Sequence, residues 1–232
     1  MDGTMTHCRI YLPFLLLWSG ALSMAEISIL KGKTETIDLP GIQENSSYSL
    51  EKSIAMRRSA RNYKKDALTL QEISQLLWAA QGITDKRNDL RAAPSAGALY
   101  PLEIYLIVGN VDGLDAGVYK YEIGKHKIKK VIDGDQRSAL SSAALSQGWV
   151  KIAPAALVIC GIYARTRRKY GERGTQYVHM EVGAVAENVY LQGRALGIGT
   201  AFVGAFDEDQ VQSVIAAASD EVPFAVLPLG KI

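Results

Sequence analysis

Arg57-Arg58-Ser59-Ala60-Arg61-Asn62-Tyr63 sets two guanidiniums and a hydroxyl directly after the stretch Ser49 to Met56, which reads as a short helix. That combination binds a phosphate dianion through charge-assisted, partly bidentate hydrogen bonds. A solvated basic helix end, favoured by the helix dipole, has the same residues. A second segment, Ala93-Pro94-Ser95-Ala96-Gly97-Ala98-Leu99-Tyr100-Pro101-Leu102-Glu103, is rich in small side chains. These let backbone N–H and C=O groups approach the edge of a flat ligand, although an ordinary Pro/Gly turn has a similar composition. A third, Gly204-Ala205-Phe206-Asp207, opens a helix, with Gly230-Lys231 near the far end of the chain. It reads equally as a helix cap and a solvated lysine. In the fourth, Arg165, Arg167, Arg168, Lys169 and Arg173 surround Tyr170. A desolvated lysine beside cations such as Arg168 or Arg173 is a base suited to removing a proton near neutral pH. A basic surface loop explains the same run.

Other chemistries lack their residues. No G-x-x-x-x-G-K-[ST] phosphate loop is present. Gly197-Ile198-Gly199 follows a helix and lacks the third glycine of a dinucleotide fingerprint, so it reads as a helix stop. Beyond the first residues the chain has only His126, His179 and Cys160 as soft metal ligands, far apart in sequence, so no metal site is expected. Ala93-Pro94-Ser95-Ala96-Gly97 imitates the turn that carries a hydrolase's serine but lacks its leading glycine.

The elements that must position these residues are legible from spacing. Thr69-Leu70-Gln71-Glu72 is a capping box, followed by Ile73, Leu76, Leu77 and Ala80 at helical intervals, with Gly82 ending the helix. Glu103 to Val108 is a strand, and Gly117 to Tyr121 with Lys127 to Ile132 form a hairpin turning at Gly124. Ala155 to Ile162 is a continuous apolar run, expected in a strand buried on both faces. Val178, Val182, Val185 and Val189 mark a long helix from Gly174 to Leu196, for the core or for a subunit interface. Asp207 caps a helix reaching Ala217, and Val222 to Leu229 is a closing strand. The pattern gives one α+β domain over 48–232, a central mixed, mainly antiparallel sheet flanked by helices.

The 232 residues are 48% apolar and 22% charged, which suits one folded domain rather than a disordered chain. A net charge of +2 is too small to argue for nucleic-acid binding, which needs a clustered basic face. Residues 1–25 read as a signal peptide: Arg9 precedes the apolar run Ile10 to Trp18, and Ser23-Met24-Ala25 suits cleavage after Ala25. This implies export to a periplasm or beyond. A retained membrane anchor, or a cytoplasmic protein starting at Met24, are the alternatives. Residues 26–47 are polar and aperiodic, a linker or extended arm.

Taken in order, the first three of these segments resemble the nitroreductase-fold family of flavin mononucleotide (FMN) enzymes, from Leu50 onward. Arg-Arg-Ser-x-Arg-x-Tyr, Pro-Ser-Ala-Gly-Ala-Leu-Tyr-Pro-Leu-Glu and Arg168 to Gly174, running into Glu181-x-Gly183-x-x-x-Glu187-Asn188, are similar to its azoline dehydrogenase branch (SagB/ThcOx type). That branch oxidises peptide thiazolines and oxazolines to azoles. The resemblance implies that Arg57, Arg58 and Ser59, joined by Lys231, hold the FMN phosphate. It implies Arg61 near the N1/O2 edge of the flavin, where reduction accumulates negative charge. Pro94, Ser95, Ala96, Gly97 and Leu99 would line the pyrimidine side, and Gly204 and Ala205 the turn near N5. Lys169 and Tyr170 match the base and proton relay. Conventional nitroreductases usually carry Asn at the position of Ala98 and Gln at that of Tyr100, and this chain departs from them at both. A homodimer with two FMN sites at its interface, a small-molecule or peptide substrate, and NADPH or NADH as a possible electron donor are also implied. The alternatives within the fold are an NAD(P)H-dependent nitro- or quinone-type reductase and a non-catalytic flavin-binding scaffold subunit.

Overall fold

The computed structural model describes residues 35–232, so the signal-peptide segment and residues 26–34 of the arm lie outside the described residues. Along the chain run β1 (Thr36–Asp38), α1 (Leu50–Met56), β2 (Leu68–Thr69), α2 (Leu70–Gln81), β3 (Ile83–Asp85), β4 (Leu90–Arg91), β5 (Leu102–Val108) and β6 (Val111–Asp112). Then come β7 (Gly117–Glu122), β8 (Lys127–Asp133), α3 (Arg137–Ala143), α4 (Gly148–Ile152), β9 (Ala155–Gly161), α5 (Tyr163–Tyr170) and α6 (Arg173–Ala195). β10 (Ile198–Thr200), α7 (Glu208–Val214) and β11 (Val222–Lys231) complete it.

Seven strands form one sheet in the order β1-β8-β7-β5-β9-β11-β10. Every neighbouring pair in it is antiparallel. The mixed character expected from sequence sits outside this sheet, in the short parallel pair β2–β6. β9 is buried at all seven positions, as its unbroken apolar run requires. Its alternate side chains serve two cores, Leu157 and Ile159 facing α2 and α6, Val158 and Cys160 facing α3 and α7. The sheet is therefore sandwiched between helices, and each face buries its own apolar layer.

The helices follow their local signals. In α2 the capping box is complete, with Thr69 and Glu72 each satisfying the other's backbone N–H. Gly82 ends α2 for a different reason from the usual left-handed cap, because its φ is −62°. A Cβ there would lie 2.3 Å from Trp78 Cδ1, so the glycine is needed for close approach. α7 stops at Val214 rather than Ala217, where Ala216 turns to φ +49°. Helices α3, α4 and α5 and strand β10 have no clear periodic signal of their own. Within the polar arm, Thr36–Asp38 adds an edge strand to β8, and Ser74 Oγ then donates to Pro40 O at 2.6 Å. Among the described residues no helix is long and apolar enough to cross a membrane.

Candidate active site

The basic segment after α1 is laid along the sheet's edge by backbone pairing. Arg57 leaves helical geometry at φ −61°, ψ 126°, which ends α1. Ser59 then bridges Thr200 in parallel, Ala60 N donates to Thr200 O at 2.8 Å, and Lys64 N donates to Lys231 O at 2.9 Å. Two glycines make room for it. A Cβ on Gly199 would lie 2.5 Å from Ala60 Cβ, and one on Gly230 would lie 2.6 Å from Tyr63 Cγ. Gly197, at φ +70°, is the helix stop expected of the pair, whereas Gly199 is a packing glycine.

This segment presents cations and hydroxyls around Tyr190 of α6. Ser59 Oγ lies 3.1 Å from Tyr190 Oη, which accepts from Phe202 N at 2.7 Å. The Arg57 guanidinium sits 5.3 Å over the Tyr190 ring and 3.8 Å from Glu187. Arg58 is exposed and folds back onto Ala55 O at 3.2 Å. Arg61 lies 5.5 Å over the ring of Trp149, in α4. Beside Trp149, Gln147 Nε2 donates to Ala205 O at 3.0 Å, which brings the exposed Gly204–Ala205 turn to the same region. Among the described residues, Trp149 Nε1 and Thr200 Oγ1 are buried here without a partner. Lys231 is paired with Glu72 of α2. Joining the two arginines on an anion would therefore mean sharing its charge with that carboxylate.

The second group is built on the loop before β5. Gly97, Ala98 and Tyr100 all have positive φ, +61°, +54° and +46°. Such a conformation costs a non-glycine residue about 1–3 kcal/mol and persists only where neighbours over-determine it. Three side chains do so: Ser95 Oγ accepts from Tyr100 N at 2.9 Å, Glu181 Oε1 accepts from Ala96 N at 2.9 Å, and Arg165 Nη1 donates to Tyr100 O at 3.1 Å. Leu99 is half-buried as the cap of the short turn. Facing that loop, a Cβ on Gly97 would lie 2.7 Å from Tyr170 Oη and 2.8 Å from Lys169 Nζ. The lysine–tyrosine pair thus converges on the Pro94–Gly97 segment. It stands on the last turn of α5, not on a surface loop, because Arg165 to Tyr170 continue the helix begun at Tyr163. Lys169 is exposed, and so are Arg168 and Arg173, so a single chain does not desolvate the lysine as expected. Its ammonium lies 5.4 Å over the Tyr170 ring, which packs edge-on to Tyr177 at 5.1 Å.

Glu181 is a site residue to which sequence reasoning gave no role. It is 6% exposed, and its Oε2 is buried without a partner among the described residues. A shallow cavity of about 320 Å³ lies here, between Pro94, Ser95 and Ala96 on one side and Tyr177, Met180 and Glu181 on the other. Burial pushes the Glu181 carboxyl up from the ordinary carboxylate range, against the Ala96 N–H and Ser95, which pull it down. The folded chain then holds this proton more tightly than the unfolded one, so stability is lost as pH rises through the folded-state pKa. The expected result is that Glu181→Gln, which keeps an acceptor for Ala96 N, gains on the wild type as pH climbs from about 4 toward neutrality. Urea unfolding across that range checks it, and a pH-independent difference would refute the raised carboxyl.

A larger cavity, of about 1020 Å³ beside Trp78, Ile83 and His126, is lined by none of the sequence-predicted site residues. The two groups described above are not joined by any hydrogen bond or ion pair among the described residues. Tyr190 stands nine residues beyond Glu181 on α6. That is about 13 Å along the axis and about two and a half turns, which puts the two groups on opposite sides of the helix.

The model of the nitroreductase family matches residues 54–231, which span the basic segment, the small-residue loop, the Lys169–Tyr170 helix and Lys231. The chain belongs to the nitroreductase family. A protein of Methanocaldococcus jannaschii named as a nitroreductase is 46% identical over 200 residues, covering 86% of this chain and 98% of that one. The microcin B17-processing protein McbC of Escherichia coli is 28% identical over 186 residues, covering 77% of this chain and 68% of McbC. Among solved structures, a nitroreductase-type protein from Ralstonia eutropha superimposes with a TM-score of 0.74 at 26% identity, covering 84% of this chain and 89% of that one. As a nitroreductase-family oxidoreductase with a peptide-processing relative, the chain keeps the branch its motifs resemble. Its Ala98 and Tyr100 are two of the three residues of the loop with positive φ.

Proposed function

We propose that the protein is an FMN-dependent oxidoreductase that converts azoline rings, in peptides or small molecules, to azoles. The observation that carries this reading is the convergence of Lys169 Nζ and Tyr170 Oη on Gly97, within the loop the family resemblance assigns to the flavin. Similarity to a peptide-processing protein supports the substrate class. The residues present fit the cofactor. Arg57, Arg58 and Ser59 suit its phosphate, and the unpartnered Trp149 Nε1 and Thr200 Oγ1 leave polar atoms beside Arg61 for a bound group to satisfy.

When bound, FMN supplies a hydride acceptor. Aromatising an azoline removes one ring hydrogen as hydride and one as a proton. Lys169 Nζ takes the proton in this reading, with the Tyr170 hydroxyl beside it as the relay to solvent. The amine must carry a free lone pair to accept that proton. Arg57, Arg58 and Ser59 orient the cofactor by its anionic end, and the Pro94–Leu99 loop offers backbone groups to the flat end. The separation of these two groups along α6 supports sites completed by two copies of the chain, each giving one group.

An absorption spectrum of the purified full chain, before and after anaerobic NADPH or NADH, tests the flavin assignment. Flavin bands, together with oxidation of a thiazoline peptide under air by the oxidised holoprotein with dioxygen as the final electron acceptor, are the expected result. Bands that bleach with NADPH but leave azolines untouched would favour a nitro- or quinone-type reductase, the reading suggested by the name of the M. jannaschii relative. A colourless protein that FMN does not reconstitute would sink both.

A further inference from the structure

We propose that Arg165, oriented by Glu103, is a positioning residue that clamps the 97–100 loop against the Lys169–Tyr170 end of helix α5. Its bearing on catalysis rests on the function proposed above, but the clamp itself is a matter of geometry. Arg165 stands in the first turn of α5, and Lys169 lies one turn further along the same face. One arm of its guanidinium meets Glu103 Oε1 at 2.6 Å and another donates to Tyr100 O at 3.1 Å. The helix therefore touches the loop twice, through Arg165 at Tyr100 and through Lys169 and Tyr170 at Gly97. Two of the positive-φ residues, Gly97 and Tyr100, are the contact points themselves, and the third, Ala98, lies between them.

Glu103 is held from behind. Its second oxygen lies 3.6 Å from Lys120 Nζ, and Lys120 also bonds Glu221, whose other oxygen accepts from Tyr105 Oη. The Glu103 side chain is 14% exposed, so this carboxylate has a fixed place under the loop. Tyr100 is gripped at its far end too, where its hydroxyl accepts from Arg91 N at 3.2 Å and its ring lies 4.5 Å beneath the Arg91 guanidinium. Only a planar fork reaches the carboxylate and the carbonyl together. A lysine at this position would keep the charge and make one contact.

Hydrogen exchange on Arg165→Met, Arg165→Lys, Glu103→Gln and the double variant Glu103→Gln/Arg165→Met tests the clamp without flavin or substrate. The expected result is exchange at Ala96–Tyr100 at least tenfold faster in Arg165→Met and about threefold faster in Arg165→Lys and Glu103→Gln. Strand β5 and helix α6 should keep wild-type protection, and the double variant should match Arg165→Met, because Glu103 acts through Arg165. An unchanged loop would overturn the proposal, as would acceleration spread evenly over the fold or additive effects in the double variant. On FMN-loaded protein with a thiazoline peptide, Arg165→Met should lower kcat at least tenfold with KM within about twofold, and Arg165→Lys should restore part of it. A loaded enzyme whose kcat ignores a loosened loop would remove the positioning role. A chain that binds no flavin would instead fail the proposed function and leave the exchange result standing.

Discussion

On the proposed cofactor assignment, Arg57→Ala and Arg58→Ala should each give a folded chain that binds FMN far more weakly. Each guanidinium offers charge-assisted hydrogen bonds to a phosphate dianion, worth about 1.5–3 kcal/mol apiece, so Kd rises roughly 10- to 150-fold per variant. The fold itself should notice little. Arg58 is exposed and bonds its own backbone, and the Arg57–Glu187 pair is a half-exposed contact at 3.8 Å, of a kind worth about 0–1 kcal/mol. Thermal melting of the flavin-free variants should therefore match the wild type while flavin titration separates them. Lys52→Ala, on the exposed face of α1, is the matched control that keeps its flavin. Stoichiometric flavin in both arginine variants would refute the phosphate assignment, whatever became of the reaction.

Removing the proposed base should have the opposite profile, with flavin retained and chemistry lost. Lys169→Ala and Tyr170→Phe should each slow azoline dehydrogenation by about 10²–10⁴, the usual worth of a positioned general base or proton relay. Tyr170→Phe is the cleaner probe, since the ring keeps its edge contact with Tyr177 and its place under the Lys169 ammonium while only Oη goes. The double variant should be no slower than the worse single one, because groups that move one proton act as a unit. Flavin absorbance and its bleaching by NADPH should survive in all three. Azoline turnover at wild-type rate in Lys169→Ala would return the pair to the surface-charge role that its composition also allows.

The local signals in the sequence and the tertiary contacts divide along a physical line. The capping box at Thr69–Glu72, the apolar stripes of α2 and α6, the unbroken apolar run of β9 and the hairpin at Gly124 depend on neighbours within a turn or a strand. Their form was settled by periodicity and cap chemistry, and with it the α+β architecture. The candidate residues stand out by type, because phosphate binding and proton removal call for cations and a basic side chain. Their arrangement was not. Gly199 is a packing glycine only because Ala60 is laid against it, and Gly230 only because Tyr63 is. Helix α5 shows a run of cations rather than an apolar stripe, and it reveals itself only where Arg165 and Tyr170 reach the loop. Glu181 becomes a loop anchor only when α6 carries it beneath Ala96 N. Such contacts follow from which strands pair and in what register, a choice made by burial over the whole chain. The sequence by itself determined which groups are present and what each can do; the tertiary structure decided which of them meet.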